Sequence, residues 1–289
     1  MISQVSLSSA VDFFQDIAYN KISVVKGEVC RMAQQRTVLN TLVHEKKRKI
    51  SGGIYHKMQI DFAYNSNHIE GSRLTHDQTR YIFETHTVDG TAHVVDIIET
   101  ANHFKCFDYI LDTIHESITE GYVKHLHQLL KNGLPFSDDE DDVVIGDYKK
   151  YPNEVGMIQT VHPKDVHYYM AELVKDFEIK QTIDLFDIAE FHARFEKIHP
   201  FYDGNGRVGR LLALKMCLAY DIVPFFINDD SKLFYCMGLK EWQTEGKKER
   251  LLDVFLSMQD DMKCILDYFE IEYDKSEVRA RDLIQKHNS

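Results

Sequence analysis

Residues 199–210, "HPFYDGNGRVGR", place a histidine, an aspartate, an asparagine, glycines and two arginines directly before the apolar run "LLALKMCLA" (211–219). The preceding segment, 184–198, has apolar residues at helical spacing, and Pro200 ends that helix because proline lacks the backbone N–H that a helix interior requires. A new helix is predicted to begin near Asn205. The stretch therefore predicts a polar loop held between two core helices, which is a common way to present a functional site.

The loop carries residue types that bind phosphate groups. Gly204 and Gly206 let backbone N–H groups converge, and together with the helix N-terminus they form an anion cradle. Arg207 and Arg210 are three residues apart, so both lie on one face of the first turns, where a cation opposes the helix macrodipole. A polyphosphate bound at this end of the helix would explain why two cations stand there.

Two further residues of the loop supply the chemistry of group transfer. Asp203 could hold a divalent cation that bridges phosphate oxygens, and His199 could take a proton from an attacking hydroxyl. The set predicts phosphoryl or nucleotidyl transfer, in which positioning and charge neutralisation do most of the work. His192, which lies largely on the same helical face as His199, is interpreted as structural.

Helical periodicity dominates the rest of the chain, and strand signals are scarce. Thr75 and Gln78 form a capping box that opens one helix, and the best strand signal is 148–163, which contains turn residues. We predict an all-α helical bundle with one small β-hairpin. The predicted helices span residues 27–50, 53–70, 75–85, 93–114, 119–131, 163–179, 184–198, 205–220, 232–245, 249–270 and 276–287.

The composition limits the class of protein. The 289-residue chain carries a net charge of -12, which disfavours nonspecific nucleic-acid binding. No apolar run reaches the roughly 18 residues of a membrane span, and the N-terminus lacks the pattern of a secretory signal. The five cysteines form no CxxC pair, which favours reduced thiols. We expect a cytoplasmic protein with no nucleic acid and no membrane as partner.

The stretch "HPFYDGNGRVGR" resembles the signature of the Fic family, His-Pro-Phe-x-Asp/Glu-Gly-Asn-Gly-Arg-x-x-Arg, with every fixed position present. The resemblance extends over roughly residues 60–260 and implies a Fic-type helical bundle. Family members usually transfer AMP from ATP and Mg²⁺ to a Ser, Thr or Tyr hydroxyl of a protein. The resemblance therefore implies a protein adenylyltransferase that uses ATP and Mg²⁺ and acts on a target protein.

The resemblance also implies roles for individual residues of the loop. His199 would be the general base, and Asp203 would bind magnesium. Asn205 would help to orient the phosphates. The backbone of Gly204 and Gly206 would hold the α- and β-phosphates.

Further roles follow for the residues around the loop. Arg207 would hold the same α- and β-phosphates, and Arg210 would hold the γ-phosphate. Tyr235 is a candidate adenine contact, with a core tyrosine as an equal alternative. The segment 148–161 resembles the flap of the family, a hairpin that pairs with the target peptide as an added strand. The target protein would thus dock on this flap.

A second stretch, "NSNHIEGSRLT" (65–75), carries an unfavourably placed anion. Glu70 stands at the end of a helix, just before Gly71, where a carboxylate opposes the macrodipole. A direct pair between Glu70 and Arg210 would resolve the unfavourable placement of both. The stretch resembles the Fic inhibitory motif, Ser/Thr-x-x-x-Glu-Gly/Asn. The resemblance implies the class with an N-terminal inhibitory helix, in which Glu70, supported by Ser66, pairs with Arg210 and blocks the γ-phosphate site.

Other interpretations stay open. Some Fic-like proteins transfer phosphate or phosphocholine, although the intact Gly204, Gly206 and Arg207 argue against this because kinase-like relatives depart from the pattern there. A locked nucleotide-sensing module would bind ATP without turnover. A metal-dependent nuclease is disfavoured by the acidic net charge and the paired arginines. In some family members the inhibitory glutamate also aligns a water that removes AMP from the target.

The chain is predicted to have three segments. An N-terminal helical extension covers 1–60, and a C-terminal helical tail covers 271–289. Between them lies the Fic domain, 61–270, with the inhibitory helix (about 53–70) and the catalytic loop (199–210). Family members often self-associate, so we expect a homodimer, and self-modification on an exposed hydroxyl is a further implication.

Overall fold

The computed structural model of the chain describes residues 37–134, 144–156 and 158–288. Within these residues it contains eleven α-helices and one two-stranded antiparallel hairpin. The predicted all-α fold with a small hairpin is therefore confirmed. Residues 27–36 of the first predicted helix lie outside the described part of the chain, as do most of the predicted N-terminal extension and Met157 of the flap.

Most helices follow the predicted bounds closely, but the first described helix begins at Val38 and not at residue 27, because Thr37 is its N-cap with an extended backbone. The helices are α1 (Val38–Arg48), α2 (Ile54–Ile69), α3 (His76–Thr85), α4 (Val94–Asp112), α5 (Glu120–Lys131), α6 (Pro163–Glu178), α7 (Leu185–Ile198), α8 (Asn205–Ala219), α9 (Lys232–Glu245), α10 (Glu249–Tyr268) and α11 (Ala280–His287). The strands are β1 (Glu154–Val155) and β2 (Ile158–Gln159), with Val155 opposite Ile158. None of the described helices is long and apolar enough to cross a lipid bilayer.

Two helix starts show how local side chains set the bounds. The predicted capping box is present at α3, where Thr75 Oγ1 accepts from the Gln78 backbone N–H and the Gln78 side chain accepts from the Thr75 backbone N–H. Helix α11 starts at Ala280, later than predicted. The Asp274 carboxylate accepts from the Ser276 backbone N–H at 2.9 Å, which offers this segment an alternative to helical hydrogen bonding.

Helix α8 is the centre of the bundle. Every residue from Arg207 to Leu218 is buried, and helices α1, α2, α4, α5 and α7 pack around it. A helix that is buried on all sides is typical of the interior of a larger domain. Because α8 is fixed by so many neighbours, the loop at its N-terminus has a rigid support.

The C-terminal tail packs on the same bundle. Ile271, Ala280 and Leu283 are buried members of the main core. The Lys286 ammonium lies 2.7 Å from the carboxylate of Asp184, the N-cap residue of α7. The tail therefore supports the helix that leads into the polar loop.

Helices α9 and α10 approach each other closely at Gly238. A Cβ atom at this position would lie 2.8 Å from the Leu251 backbone nitrogen. Since a backbone cannot yield as a side chain can, we expect Gly238→Ala to lower the free energy of unfolding by about 1–3 kcal/mol in chemical denaturation. Gly121→Ala in α5 is the matched control, because its nearest atom is Thr119 Oγ1 at 3.6 Å. Equal stability of the two variants would contradict this packing.

Candidate active site

The loop between α7 and α8 is shaped by its own backbone and by one amide side chain. His199 caps the end of α7 with φ 49°, and Gly204 caps the start of α8 with φ 82°. The buried Asn205 amide accepts from the Phe201 backbone N–H at 2.8 Å and donates to the Phe201 carbonyl at 2.9 Å. Both polar ends of Asn205 are thus used within the loop, so its predicted part in orienting phosphates would act through the shape of the loop.

His127, which the sequence analysis missed, packs against the loop. The ring of His127 stacks on Phe201, with centroids 3.9 Å apart. Its Nδ1 accepts from the Gly146 backbone N–H at 3.0 Å, so Nε2 carries the proton and donates to the Asp203 carbonyl at 3.0 Å. Burial lowers the pKa of His127 to about 4. A neutral His127 therefore fixes the carbonyl just before Gly204.

His199, the predicted base, is mostly buried, with 15% of its side chain exposed. Its Nδ1 lies on the side of Glu196, 3.9 Å from the carboxyl Oε2. Burial and the nearby Lys149 ammonium lower the pKa of His199 to about 4. His199 is consequently neutral near pH 7, which is the protonation state that a general base requires.

Arg210 is buried and is neutralised by the predicted partner. Its Nη2 lies 2.6 Å from Glu70 Oε1 and donates to the Ser66 carbonyl at 2.9 Å, while its Nε donates to Ser66 Oγ at 3.0 Å. Burial acts to raise the pKa of Glu70, but the charge and hydrogen bond of Arg210 outweigh it and leave that pKa below its ordinary value. Glu70 is thus an ionised carboxylate near pH 7.

The Glu70 carboxylate also fills the space beside Gly206. A Cβ atom built on Gly206 would collide with Glu70 Oε1. Gly206 is the second residue of α8, so this carboxylate stands at a helix N-terminus, where an anion is stabilised by the dipole and the unpaired N–H groups. The structure therefore brings Glu70, Gly206 and Arg210 together around one anion position.

Arg207 is neutralised by carboxylates as well. Its guanidinium pairs with Glu99 of α4, and its Nη2 lies 3.4 Å from Asp203 Oδ2. Lys131, the last residue of α5, places its ammonium 2.7 Å from Glu99 Oε1 and in direct contact with Asp203 Oδ2. These four residues, which we call the charge ring, alternate in sign around a closed circuit.

Asp203 is the member of the charge ring that faces solvent. Its side chain is 57% exposed and borders a cavity of about 460 Å³ that Glu70 and Arg207 also line. The cations Arg207 and Lys131 outweigh the effect of burial and hold the pKa of Asp203 below its ordinary value. One ionised carboxylate suits Mg²⁺, which commonly binds one or two protein carboxylates and completes its shell with water and phosphate oxygens.

The predicted flap is tied to the loop by Lys149, which the sequence analysis also missed. Its buried ammonium donates to Asn153 Oδ1 at 2.8 Å, to Thr160 Oγ1 at 2.6 Å and to the Ile198 carbonyl at 3.2 Å. Its backbone N–H donates to the Pro200 carbonyl at 2.8 Å. These contacts hold the hairpin against the end of α7 and the loop that follows it.

Tyr235, the candidate adenine contact, lies in the first turn of α9. Its side chain is buried in the core, where its hydroxyl lies 2.8 Å from Nε2 of the equally buried His192. This burial agrees with the alternative of a core tyrosine, while a contact with adenine stays a prediction, and His192 is a core residue as interpreted. Tyrosine suits both roles, so its residue type gives no sequence signal that separates them.

A second cavity, of about 300 Å³, lies between the hairpin and α9. Its wall is mostly apolar and includes Val155, Ile158 and Met237. Glu196 also lines it, and burial raises the pKa of Glu196 to about 8. This cavity, next to the loop, offers an apolar environment of the kind that ligand sites commonly provide.

Comparisons with known proteins agree with this architecture. A sequence profile described as the Fic/DOC family matches residues 117–217. Proteins named "Protein adenylyltransferase Fic" from Drosophila grimshawi and Drosophila mojavensis are each 27% identical over 181 residues, or 61% of this chain. The match covers 36% and 35% of those proteins, so the chain spans about a third of the length of these curated relatives.

Solved structures share the fold. A Fic domain containing signaling protein from Bacteroides thetaiotaomicron superposes with a TM-score of 0.63 at 24% identity, covering 75% of this chain and 86% of that one. Fic-1 from C. elegans superposes with a TM-score of 0.60 at 19% identity, covering 92% and 79%. Residues 117–217 thus match the Fic/DOC family and the chain shares the fold of these Fic structures, so the resemblance found in the loop sequence is confirmed.

Proposed function

We propose that the chain is an autoinhibited protein adenylyltransferase that transfers AMP from ATP to a Ser, Thr or Tyr hydroxyl of a target protein. The observation that carries this proposal is the Glu70 carboxylate bound by Arg210 and seated against Gly206. Because this position already holds a carboxylate of the chain, it is suited to bind an anion such as a phosphate. The adenylyltransferase names of the Drosophila relatives support the transferred group.

The polyphosphate would occupy the N-terminus of α8. The backbone of Gly204 and Gly206 and the Arg207 side chain would hold the α- and β-phosphates, and Arg210 would hold the γ-phosphate. Mg²⁺ at Asp203 would neutralise phosphate charge. The apolar cavity between the hairpin and α9 would receive the base. This placement would bring the α-phosphorus close to His199.

In the transfer step, the target hydroxyl oxygen bonds to the α-phosphorus and the bond from that phosphorus to the bridging oxygen of pyrophosphate breaks. His199 takes the hydroxyl proton. Because Nδ1 faces the helix side at Glu196, Nε2 is the nitrogen that accepts it. The cradle and the arginines stabilise the leaving pyrophosphate through charge and position.

The lock follows from competition for one anion position. Glu70 and a γ-phosphate both require Arg210, and two anions at the N-terminus of α8 repel each other. Ser66 strengthens the locked state because it binds Arg210 through both its hydroxyl and its carbonyl. Release of Glu70 would therefore be needed before ATP binds in the productive arrangement.

Several finer expectations accompany the proposal. Transfer of another phosphate-containing group and a locked ATP-sensing module are the alternatives that the same cradle would serve. Removal of AMP by the same glutamate, self-modification, target docking on the flap (148–161), a homodimer and a cytoplasmic location all stay predictions.

The first experiment follows transfer of label from ATP. We expect Glu70→Gly to raise incorporation from α-labelled ATP into protein more than tenfold, a factor that corresponds to about 1.4 kcal/mol of relieved inhibition. Label from γ-labelled ATP should not transfer. Purified protein, Mg²⁺ and a cell lysate as target source would be used, with incorporation read on a denaturing gel.

The control for this experiment is Glu70→Gly combined with His199→Ala, which should abolish incorporation while ATP still binds. Transfer of γ-label would favour a kinase-like relative. An unchanged rate for Glu70→Gly, with ATP bound, would contradict the lock. Bound ATP with no transfer in any variant would favour the sensing module.

The pH dependence of transfer tests the role of His199. A general base acts when neutral, so activity should be present above its pKa and lost as the pH falls through it. Since the pKa of His199 is about 4, the acid limb of kcat/KM for Glu70→Gly should lie well below pH 6.5. Lys149→Met removes a charge that lowers this pKa, so the limb should move to higher pH.

The profile should be recorded only where circular dichroism shows folded protein, and Lys124→Met provides a control for loss of a lysine elsewhere. An acid limb at or above pH 6.5 in the parent would contradict the assignment of His199. A downward movement of the limb in Lys149→Met would do the same.

A further inference from the structure

Lys131 of the charge ring has no role in the proposed reaction. Lys131 is buried, with 8% of its side chain exposed, and its ammonium contacts Glu99 on one side and Asp203 on the other. The Glu99 carboxylate is mostly buried, whereas the Asp203 carboxylate opens to the cavity. The ammonium thus reaches from the protein interior to the carboxylate that is proposed to bind Mg²⁺.

The contacts hold Lys131 firmly in place. A buried ammonium requires charged partners because its desolvation is costly, and Glu99 supplies one from α4. The other oxygen of Glu99 is engaged by Arg207, so Glu99 joins both cations to the same support. Lys131 is the last residue of α5, which fixes the start of its side chain as well.

The ammonium stands where a divalent cation would interfere with it. Lys131 and Arg207 share the same oxygen of Asp203, Oδ2. Mg²⁺ binds carboxylate oxygens at about 2.1 Å, so a metal on this carboxylate would lie close to the ammonium and be repelled by it. The added negative charge of a polyphosphate would offset that repulsion.

The geometry points to Lys131 as a built-in cation that holds Asp203 in the absence of nucleotide and makes divalent-metal binding there depend on polyphosphate. This inference rests on the proposed function, in which Asp203 is the metal ligand. Lys131 is a positioning residue in this scheme: it sets the availability of Asp203. Free metal alone would then bind weakly, and metal that arrives with polyphosphate would bind well.

The test measures Mn²⁺ binding without nucleotide, by isothermal titration and by the electron paramagnetic resonance signal of free Mn²⁺. We expect Lys131→Met to lower the Kd for one Mn²⁺ at least tenfold relative to the parent chain, because the competing ammonium is gone. Adding Asp203→Asn to Lys131→Met should abolish the gain. Lys124→Met is the matched control, since Lys124 also lies on α5 and pairs with Asp147 at 2.7 Å, away from Asp203.

Lys131→Gln is a second variant, which keeps hydrogen-bonding capacity toward Glu99 and Asp203 but removes the charge. It should show a smaller gain, and thermal unfolding would verify that each variant is folded. Unchanged or weaker Mn²⁺ binding in both Lys131 variants would overturn the inference, even if label transfer occurs. Tighter binding that requires Asp203 would support it, even if no AMP is transferred.

Discussion

The ion pair between Glu70 and Arg210 is the interaction on which the site depends. It joins the end of α2 to the first turns of α8, the helix around which the core is built. The pair places the Glu70 anion at a helix N-terminus, where the dipole favours it, and balances the charge of the buried Arg210. Both charges of the pair are therefore well satisfied, and under the proposed function a phosphate would have to take the place of Glu70 to release the lock.

Arg207, the other arginine of the loop, is also neutralised by carboxylates from outside its own helix. Arg207 is neutralised by Glu99 and Asp203, and Lys131 closes the charge ring. Both cations at the start of α8 are thus balanced by carboxylates from other helices. The two differ in exposure: the Glu70 carboxylate lies against Gly206, whereas the charge ring leaves Asp203 facing the cavity. Under the two proposals, the pair would control access of phosphate and the ring would control access of metal.

Most helices, the polar loop and the Glu70–Arg210 pair could be predicted from the sequence. Helices show as local periodicity and capping signals, the loop matches a long motif, and the pair follows from two charges that each oppose a helix dipole. The sequence was insufficient for Lys131 and His127, whose only signal is a polar pair four residues apart on the buried face of α5. Both ion-pair partners of Lys131 and the Asp203 carbonyl that His127 binds stand more than 30 residues away, so these contacts depend on how the helices pack. The role of Tyr235 stayed open in the sequence because burial, and not residue type, separates a core residue from a ligand contact.

The position of the γ-phosphate of bound ATP tests the proposed lock most directly. Crystal structures of the parent chain and of Glu70→Gly, each with Mg²⁺ and a non-hydrolysable ATP analogue, would give that position. We predict that the γ-phosphate contacts Arg210 in Glu70→Gly and is turned away from Arg210 in the parent chain, where Glu70 stays paired. A γ-phosphate on Arg210 in the parent chain, with Glu70 still paired, would contradict the account.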